Sequence, residues 1–320
     1  MGDIDISVVI PCYNSESFVE TAVRSALDQT LQTEEVICID DGSTDGTLEV
    51  LRSLEKEHNN LIVHAQKNEG ICGARNTGLR ITNSQYVAFL DHDDKLHPNK
   101  LAHQAELITD CSVRPDFIAA AYREEYPDSK REARIRKVNT SDPWVGLIHA
   151  RLGRTSSNLW KASSIREAGA WQEADGLSLD TGLMFRLLKR DAQFIGDNTP
   201  LTTRHVRDTS ASMANRTEQW RTFLDLRAKI LRHLRSSDGL TQARLDALHM
   251  DMIRAVRGVY KHDPELALRK HQALVQGQFQ ASDASFGPGR LYRVLYELLG
   301  FRGAEALYPL WTRLRQQFSG

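Results

Sequence analysis

The sequence is poor in cysteine and lacks the paired cysteine motifs that mark zinc sites and disulfide frameworks. Its four cysteines, Cys12, Cys38, Cys72 and Cys111, are scattered through 320 residues, and no two of them form a CxxC pair. This usage predicts reduced, buried thiols in a cytoplasmic protein, and it argues against a disulfide-stapled fold or a zinc site.

Long hydrophobic runs and an excess of one charge are also missing. No stretch approaches the roughly 20 apolar residues that span a bilayer. The opening MGDIDISVVIPCYN has no basic region before a long apolar core, so we predict a first strand there and not a signal peptide. The formal net charge of -1 offers no global electrostatic attraction for nucleic acid, and we expect no nucleic-acid partner.

Two common phosphate-binding motifs are absent as well. The chain has no Walker-type glycine-lysine loop, which argues against a P-loop nucleotide site. The first predicted strand is not followed by GxGxxG, which argues against a nicotinamide dinucleotide fold.

An alternation of apolar runs and helical patterns fills the first 122 residues. Near-continuous, β-branched runs are typical of strands in a parallel sheet that is covered on both faces. Strands are predicted at 6–10, 36–39, 61–64, 87–90 and 117–121, and helices at 16–29, 47–58, 74–82 and 99–109. This order predicts an α/β fold with a doubly wound sheet.

The second part of the chain has a different character. Residues 123–139 are highly charged and are predicted to form a surface excursion or a mobile loop. A helix at 142–152, a strand at 157–160 and a helix at 179–189 follow, and beyond about residue 213 only helical patterns remain. We therefore predict a catalytic domain at 1–212 and an all-α C-terminal extension at 213–320.

Polar and acidic residues follow three of the predicted strands, where each strand ends. These segments are PCYN at 11–14, DDGS at 40–43 and DHDD at 91–94. In a doubly wound sheet, ligands bind outside the carboxyl ends of the strands. Crowded carboxylates repel one another unless a positive charge lies among them. A solvated turn would explain one such loop; the three together favour a bound Mg²⁺ or Mn²⁺, which prefers hard oxygen ligands.

Four motifs in this region resemble family 2 glycosyltransferases of the GT-A fold. They are ISVVIPCYN, EEVICIDDGSTDGTLEVL, NEGICGARNTGLR and YVAFLDHDD, which together span about residues 5–110, and the resemblance persists more weakly to about residue 212. It implies inverting, metal-dependent transfer of a sugar from a nucleotide-diphospho-sugar, with a UDP-sugar as the expected donor. The acceptor would be a hydroxyl of a glycan, lipid-linked or other, in cell-surface polysaccharide or glycoconjugate biosynthesis. The alternative is a catalytically inactive nucleotide-sugar-binding protein on the same fold.

The resemblance also implies roles for residues of the first two loops and of the GARN motif. Tyr13 would stack on the nucleotide base, or else pack at a strand end. Asp41 would accept a hydrogen bond from the base. Arg75 would lie near the nucleotide, or else pair with a nearby acid. Pro11 and Asn14 complete this part of the nucleotide-sugar-binding set.

The DHD triplet matches the DxD motif of the family. Asp91 would contact the ribose or a metal-bound water, and Asp93 would ligate Mn²⁺ or Mg²⁺ directly. His92 belongs to the same nucleotide-sugar-binding set, although its variable position in the motif favours a spacer.

The candidate base and a further metal ligand come later in the chain. LSLDTGLMFRLLKR matches the family text that carries the base, which makes Asp180 the candidate, although Leu179 replaces the usual preceding acid. Asp180 could instead cap the helix that follows it. His205, in TTRHVRD, would be an additional metal ligand or a structural histidine, and Arg204 or Arg207 would meet the diphosphate.

The tail at 290–318, RLYRVLYELLGFRGAEALYPLWTRLRQQF, alternates arginines with large apolar groups. A basic amphipathic segment of this kind can lie on an anionic membrane surface, here the inner face of the membrane. The other interpretation is a helix pair packed against the rest of the protein, which Gly300 and Pro309 favour because both would interrupt a long surface helix.

Overall fold

The structure, a computed structural model, describes residues 4–207, 216–275 and 290–317. The chain divides into two compact units, Met1–Ser210 and Ala211–Gly320. The predicted boundary at residue 212 lies between the described ranges. None of the described helices has the length and apolar character needed to cross a membrane.

The first unit is built from strands and helices that alternate along the chain. The elements are β1 (Ile6–Cys12), α1 (Val19–Leu27), β2 (Val36–Asp40), α2 (Thr47–Glu57), β3 (Leu61–Ala65), α3 (Gly70–Ile81), β4 (Tyr86–Phe89), β5 (Lys95–Leu96), α4 (Lys100–Thr109), β6 (Phe117–Ala120), β7 (Tyr122–Glu125), β8 (Arg134–Arg136), α5 (Pro143–Ile148), β9 (Leu159–Lys161), α6 (Ala162–Glu167), a 3₁₀ helix (Glu173–Ser178), α7 (Leu179–Leu188), β10 (Phe194–Asp197) and β11 (Thr202–His205).

Seven strands form the main sheet, in the order β10-β6-β9-β4-β1-β2-β3. All neighbours run parallel except β9, which is antiparallel to both β4 and β6. Every residue of β1 is buried, because helices cover both faces of the sheet. On one face α3 lies so close to β1 that a Cβ on Gly78 would come within 2.2 Å of Val9 Cγ1, so only glycine fits there. The predicted α/β class with a mostly parallel sheet is confirmed.

A second sheet, in the order β5-β11-β7-β8, corrects one prediction. The charged stretch at 123–139 was predicted to be a surface excursion or a mobile loop, yet it contains most of β7 and all of β8, whose residues are exposed. These strands form because β7 pairs with β11 on one side and β8 on the other. Their faces carry arginine and glutamate side chains, so no alternation of apolar residues marks them. Of the cysteines, Cys12, Cys38 and Cys72 are buried as predicted, whereas Cys111 is half-buried.

The second unit is helical in its described residues. It contains α8 (Arg216–Ser236), α9 (Gln242–Tyr260), α10 (Pro264–Leu274) and α11 (Arg290–Gln317), and α9 packs against both α8 and α10. Short breaks at 237–241 and 261–263 separate α8 from α9 and α9 from α10. Gly300 adopts φ 68° and kinks α11, so the rings of Tyr292 and Tyr308 lie 5.3 Å apart and the helix folds back on itself.

Candidate functional site

The polar loops after β1 and β2 lie together at the carboxyl edge of the main sheet. Asn14 connects them: its Oδ1 accepts a hydrogen bond from the Thr44 amide at 2.8 Å, and its own amide donates to Ser43 Oγ at 3.1 Å. Asn14 adopts φ 45°, a left-handed conformation that asparagine tolerates. Tyr13 beside it is 46% exposed, so its ring is open to a planar ligand. The side chain of Asn14 thus organises the loops.

Asp41 follows β2 and is held in a fixed orientation. The residue is buried, and its Oδ1 accepts from Gln66 Nε2 at 2.7 Å and from the Glu69 amide at 2.9 Å. Asp40 before it is buried too, and its Oδ2 accepts from the Ser43 amide at 3.4 Å. The Oδ1 of Asp40 has no partner among the described residues.

Arg75 lies between the acidic loop after β4 and the candidate base. Its Nη2 donates to Asp91 Oδ1 at 2.8 Å, and its Nη1 lies 3.7 Å from Asp180 Oδ1. The guanidinium is buried against the indole of Trp171, 4.6 Å from the ring centroid. Trp171 and Trp160 are themselves buried, so both tryptophans belong to the core. Of the two roles open to Arg75, the ion pair with a nearby acid is the one observed.

Asp91 and Asp94 have opposite shifts in pKa. Desolvation acts to raise the pKa of Asp91, but the charge of Arg75 and its hydrogen bond outweigh it, so this pKa is lowered. The pKa of Asp94 is raised well above its usual value, first by burial and then by repulsion from Asp91 and Asp93. The positive charge that the crowded acids require therefore comes in part from arginine.

Asp93 is contacted by residues of β11 and of the segment directly after it. Arg207 Nη1 donates to its Oδ2 at 3.2 Å, and the same guanidinium lies over the ring of Phe18 at 4.0 Å. The ring Nδ1 of His205 is 2.8 Å from the carbonyl oxygen of Asp93, and the His205 amide donates to Asp94 Oδ1 at 3.1 Å. His205 thus contacts the loop through its backbone and one ring nitrogen.

The residues of the DHD triplet suit only one mode of metal binding. Within the described ranges, no group of three or more histidine, cysteine, aspartate or glutamate side chains is arranged to hold an ion. Mg²⁺ and Mn²⁺ are often bound through one or two carboxylates together with substrate phosphates and water. Asp93 fits that mode because its side chain is 28% exposed and lies against repelling neighbours. The His92 ring contacts the first loop, with Nδ1 3.3 Å from the carbonyl oxygen of Pro11.

Asp180 is in the first turn of α7, but Ser178 occupies the N-cap position, so the alternative capping role is wrong. Thr155 holds both oxygens of the carboxylate: its hydroxyl donates to Oδ1, and its amide donates to Oδ2 at 3.2 Å. The Asp180 side chain keeps 21% of its surface exposed. A carboxylate has about four lone-pair sites, so a hydroxyl can still approach it.

The segment Thr155–Asn158 is a part of the site that sequence reasoning missed. All four residues are small, polar and buried. Ser156 Oγ accepts from the Asp91 amide at 3.2 Å, and Asn158 Oδ1 accepts from the Ala120 amide at 2.9 Å. The segment thus contacts the acidic loop, the base and β6. The sequence did contain a signal for this segment, namely four consecutive polar residues directly before the apolar residues of β9.

Comparisons with known proteins agree with this architecture. Residues 7–156 match the family described as Glycosyl transferase family 2. TuaG of Bacillus subtilis, named for teichuronic acid biosynthesis, is 41% identical over 113 residues, which cover 35% of this chain and 45% of TuaG. The chondroitin synthase of Escherichia coli is 32% identical over 173 residues, which cover 54% of this chain and 24% of the synthase. The chain therefore spans less than half of the length of each of these relatives.

Solved glycosyltransferase structures share the fold at low sequence identity. S. aureus TarS 1–349 in complex with UDP-GlcNAc aligns with a TM-score of 0.58 at 17% identity, covering 88% of this chain and 95% of TarS 1–349. The mannosyltransferase PcManGT from Pyrobaculum calidifontis, in complex with GDP-Man and Mn²⁺, aligns with a TM-score of 0.59 at 18% identity, covering 97% of this chain and 88% of PcManGT. The predicted GT-A fold with extra C-terminal helices is confirmed.

Proposed function

We propose, from the match of residues 7–156 to the model of glycosyltransferase family 2, that the chain is a member of that family and transfers a sugar from a nucleotide-diphospho-sugar to an acceptor hydroxyl with inversion. One observation carries the proposal. Arg75 contacts the acid of the DxD motif and the candidate base at once, at 2.8 Å from Asp91 and 3.7 Å from Asp180. The acidic loop and the candidate base thus lie beside one arginine, close enough to act on the same substrate, as a single displacement requires.

In this proposal Asp180 takes the proton of the acceptor hydroxyl as that oxygen attacks the anomeric carbon, and the bond to the diphosphate breaks. A positioned carboxylate contributes typically 10²–10⁴-fold as a general base. Thr155 supports this role because its two donors fix the plane of the carboxylate. A protein that only bound nucleotide sugars would have no use for a carboxylate held in this way.

The nucleotide and the metal are assigned to the other side of the cleft. Tyr13 would stack on the base, and Asp41 would accept from the base ring. Asp93, with Asp91 nearby, would hold Mn²⁺ or Mg²⁺; His205 is the weakest ligand candidate because its Nδ1 already faces a carbonyl. A bound divalent ion would supply Lewis-acid stabilisation of the departing diphosphate. Arg207, 3.2 Å from Asp93, could add positive charge there.

The donor and the acceptor are proposed by analogy with the relatives. TarS 1–349 has been solved with UDP-GlcNAc, which supports a UDP-sugar, whereas PcManGT has been solved with GDP-Man. TuaG and chondroitin synthase are named for polysaccharide synthesis, which supports a glycan or lipid-linked acceptor in cell-surface polysaccharide biosynthesis.

We place the protein in the cytoplasm, with peripheral contact at the inner membrane face through α11 as a second proposal. Exposed Leu298 and Leu299, just before the kink of α11, support that contact.

A thermal-shift panel tests the nucleotide proposal directly. UDP, GDP, CDP and TDP are each added with Mn²⁺ and with EDTA. A ligand at 100 times its Kd stabilises the folded state by about 2.7 kcal/mol. One nucleotide should raise the midpoint in Mn²⁺ and much less in EDTA, and Tyr13→Ala should weaken its binding by about 1–3 kcal/mol through lost stacking. No shift with any nucleotide would contradict the proposal.

The rival is the inactive nucleotide-sugar-binding protein, and donor hydrolysis separates the two. An active transferase releases UDP slowly from its UDP-sugar even with water as acceptor. That release should disappear in Asp180→Asn while nucleotide binding persists. Binding without any release, with or without glycan acceptors, would favour the binding protein.

A further inference from the structure

The second sheet has one strongly basic face. Residues that pair directly across neighbouring strands point to the same side of a sheet. Glu124 of β7 pairs with Arg204 of β11 and with Arg134 of β8, and Tyr122 pairs with Arg136. Arg154 reaches the same face, since its Nε donates to the Tyr122 hydroxyl at 3.3 Å. We call the four arginines of this face, Arg134, Arg136, Arg154 and Arg204, the arginine layer.

The arginine layer carries more charge than its carboxylate partner can balance. Glu124 is buried beneath it and accepts from Arg136 at 2.7 Å and from Arg204 at 3.3 Å. Burial acts to raise the pKa of Glu124, but these partners lower it, so it stays ionised. Glu124 pairs with only two of the four arginines, and Arg134 and Arg154 have no carboxylate within ion-pair distance among the described residues. At longer range Asp180 acts on Arg154, and Asp91 and Asp94 interact with Arg204.

The opposite face of the same strands is balanced. There Arg123 pairs with Glu125 at 2.7 Å, and Ile135 is 52% exposed. One simple role of charged side chains on an edge strand is to prevent edge-to-edge aggregation. That role would not require the arginines of β8 to share one face while an isoleucine occupies the other. The asymmetry points to a ligand on the arginine layer.

The position of the layer indicates which ligand it meets. Arg154 directly precedes Thr155, the residue that holds the candidate base Asp180. The layer crosses three adjacent strands, a width of about 10 Å at the usual strand spacing. The predicted donor residues, Tyr13 and Asp41, belong to loops of the main sheet. Arg204, at the β11 edge of the layer, is also a residue expected to meet the donor diphosphate, so the ligand that reaches the base across Arg134, Arg136 and Arg154 would be the acceptor.

We infer that the arginine layer binds an anionic acceptor, a glycan that carries carboxylate or phosphate groups, and positions it at Asp180. Arginine presents paired donors that match the two oxygens of a carboxylate or phosphate. This inference rests on the proposed function, because it names the class of acceptor for the same site. The name of TuaG, which refers to teichuronic acid, agrees with it.

Direct binding of defined oligosaccharides tests the inference on the full chain. The probes are an unsulfated chondroitin hexasaccharide, a glycerol-phosphate oligomer and neutral chitohexaose, measured by calorimetry in about 0.05 M and about 0.3 M NaCl. At least one anionic probe should bind about tenfold more tightly than chitohexaose, and higher salt should weaken it. The tighter of the two identifies carboxylate or phosphate as the recognised group.

Two variants locate the binding surface. Arg134→Gln combined with Arg154→Gln should raise the Kd of the anionic probe about tenfold, the loss of about 1.4 kcal/mol. Arg123→Gln removes one positive charge from the opposite face of the same sheet and should leave that Kd unchanged. An unchanged thermal unfolding midpoint serves as the control for an intact fold in all variants.

Three results would overturn the inference: equal binding of neutral and anionic probes, equal losses in Arg123→Gln and in the double variant, or tighter binding of a short RNA than of either glycan. Its failure is separate from failure of the proposed function. If nucleotides bind in the thermal-shift panel but anionic glycans show no preference, only the acceptor class is wrong. If anionic glycans bind and no nucleotide does, the transferase proposal fails and the anion-binding surface stands.

Discussion

Replacing Arg75 by methionine is the sharpest test of the charge arrangement in the cleft. The Arg75 side chain is 6% exposed, and it lies 2.8 Å from Asp91, 3.7 Å from Asp180 and 4.6 Å from the centroid of the Trp171 ring. Methionine keeps much of the apolar stem against the indole and removes only the cation. Two carboxylates then lose their nearest positive charge.

The expected cost follows from the burial of the partners. Removing one member of a fully buried ion pair costs about 3–5 kcal/mol, because the other charge is left uncompensated. The Asp91 side chain is 36% exposed and that of Asp180 is 21% exposed, so water compensates part of the loss. We expect Arg75→Met to lower the free energy of unfolding by about 2–3 kcal/mol. For a unit of this size the melting temperature should fall by about 5–10 °C.

The pH dependence provides a second readout with a defined sign. The pKa of Asp91 is lowered in the folded protein, so its pairing stabilises the fold above the unfolded pKa of about 3.9, and this stabilisation is lost as the pH falls through the folded pKa. Without Arg75, desolvation raises the pKa of Asp91 instead. The penalty of Arg75→Met should therefore be largest near neutral pH and shrink as the pH approaches about 4.

A double-mutant cycle isolates the pair. Arg75→Met should cost about 1–3 kcal/mol less in an Asp91→Asn background than in the wild type. Arg24→Met is the matched control, since Arg24 also lies 2.8 Å from a carboxylate, Glu20, but is 44% exposed and should cost less than about 1 kcal/mol. The reasoning is refuted if Arg75→Met costs no more than Arg24→Met, or costs the same with and without Asp91.

Four further predictions concern the chemistry and one buried lysine. Asp180→Asn should lower kcat by about 10²–10⁴-fold while the Kd of the UDP-sugar in Mn²⁺ stays unchanged, and a variant with wild-type turnover would remove Asp180 from the mechanism. Thr155→Val should lower kcat about tenfold or more with little change in KM, because a hydrogen bond to a charged group contributes about 1.5–3 kcal/mol, and Thr155→Ser should restore it. EDTA should raise the Kd of UDP for the wild type, whereas Asp93→Ala should bind UDP with the same Kd in Mn²⁺ and in EDTA. If the wild type and the variant show the same dependence of the Kd on the metal, Asp93 is not a metal ligand. Lys100 is 1% exposed, and burial lowers its pKa to about 7. The free energy of unfolding of the wild type, relative to that of Lys100→Met, should therefore rise between about pH 7 and 10. Urea unfolding at several pH values measures this difference, and parallel curves for the two proteins would contradict the prediction.

Most of the first unit could be predicted because its elements have local signals. β1, β2 and β3 are apolar and buried, and α1 and α2 show helical spacing, so pattern and structure agree to within a few residues. The carboxyl ends of parallel strands meet at one edge, so the loops at 11–14, 40–43 and 91–94 could be assigned to one site before any contact was known.

The failures lie where partners are distant in the chain. The stretch that holds β7 and β8 was predicted to be a surface excursion or a mobile loop because charged residues dominate it. Pairing with β11, about 80 residues later, places β7 in a sheet, and β8 then pairs with β7. The capping role considered for Asp180 was wrong for a local reason, because Ser178 occupies the N-cap position. That Thr155, 25 residues away, holds the Asp180 carboxylate could not be predicted.

The sequence by itself determined the alternating α/β architecture, the edge of the sheet where ligands gather, and the acids of the DxD motif. These features depend on hydrophobic periodicity and on residue types within short windows, both of which can be read directly from the chain. Only the tertiary structure decided which charges neutralise which acids. Arg75 meets Asp91 and Asp180 together, and Arg207 meets Asp93 across 114 residues. Coulombic and hydrogen-bonding energies depend on distances of a few ångströms and on exclusion of water, and the fold alone sets both.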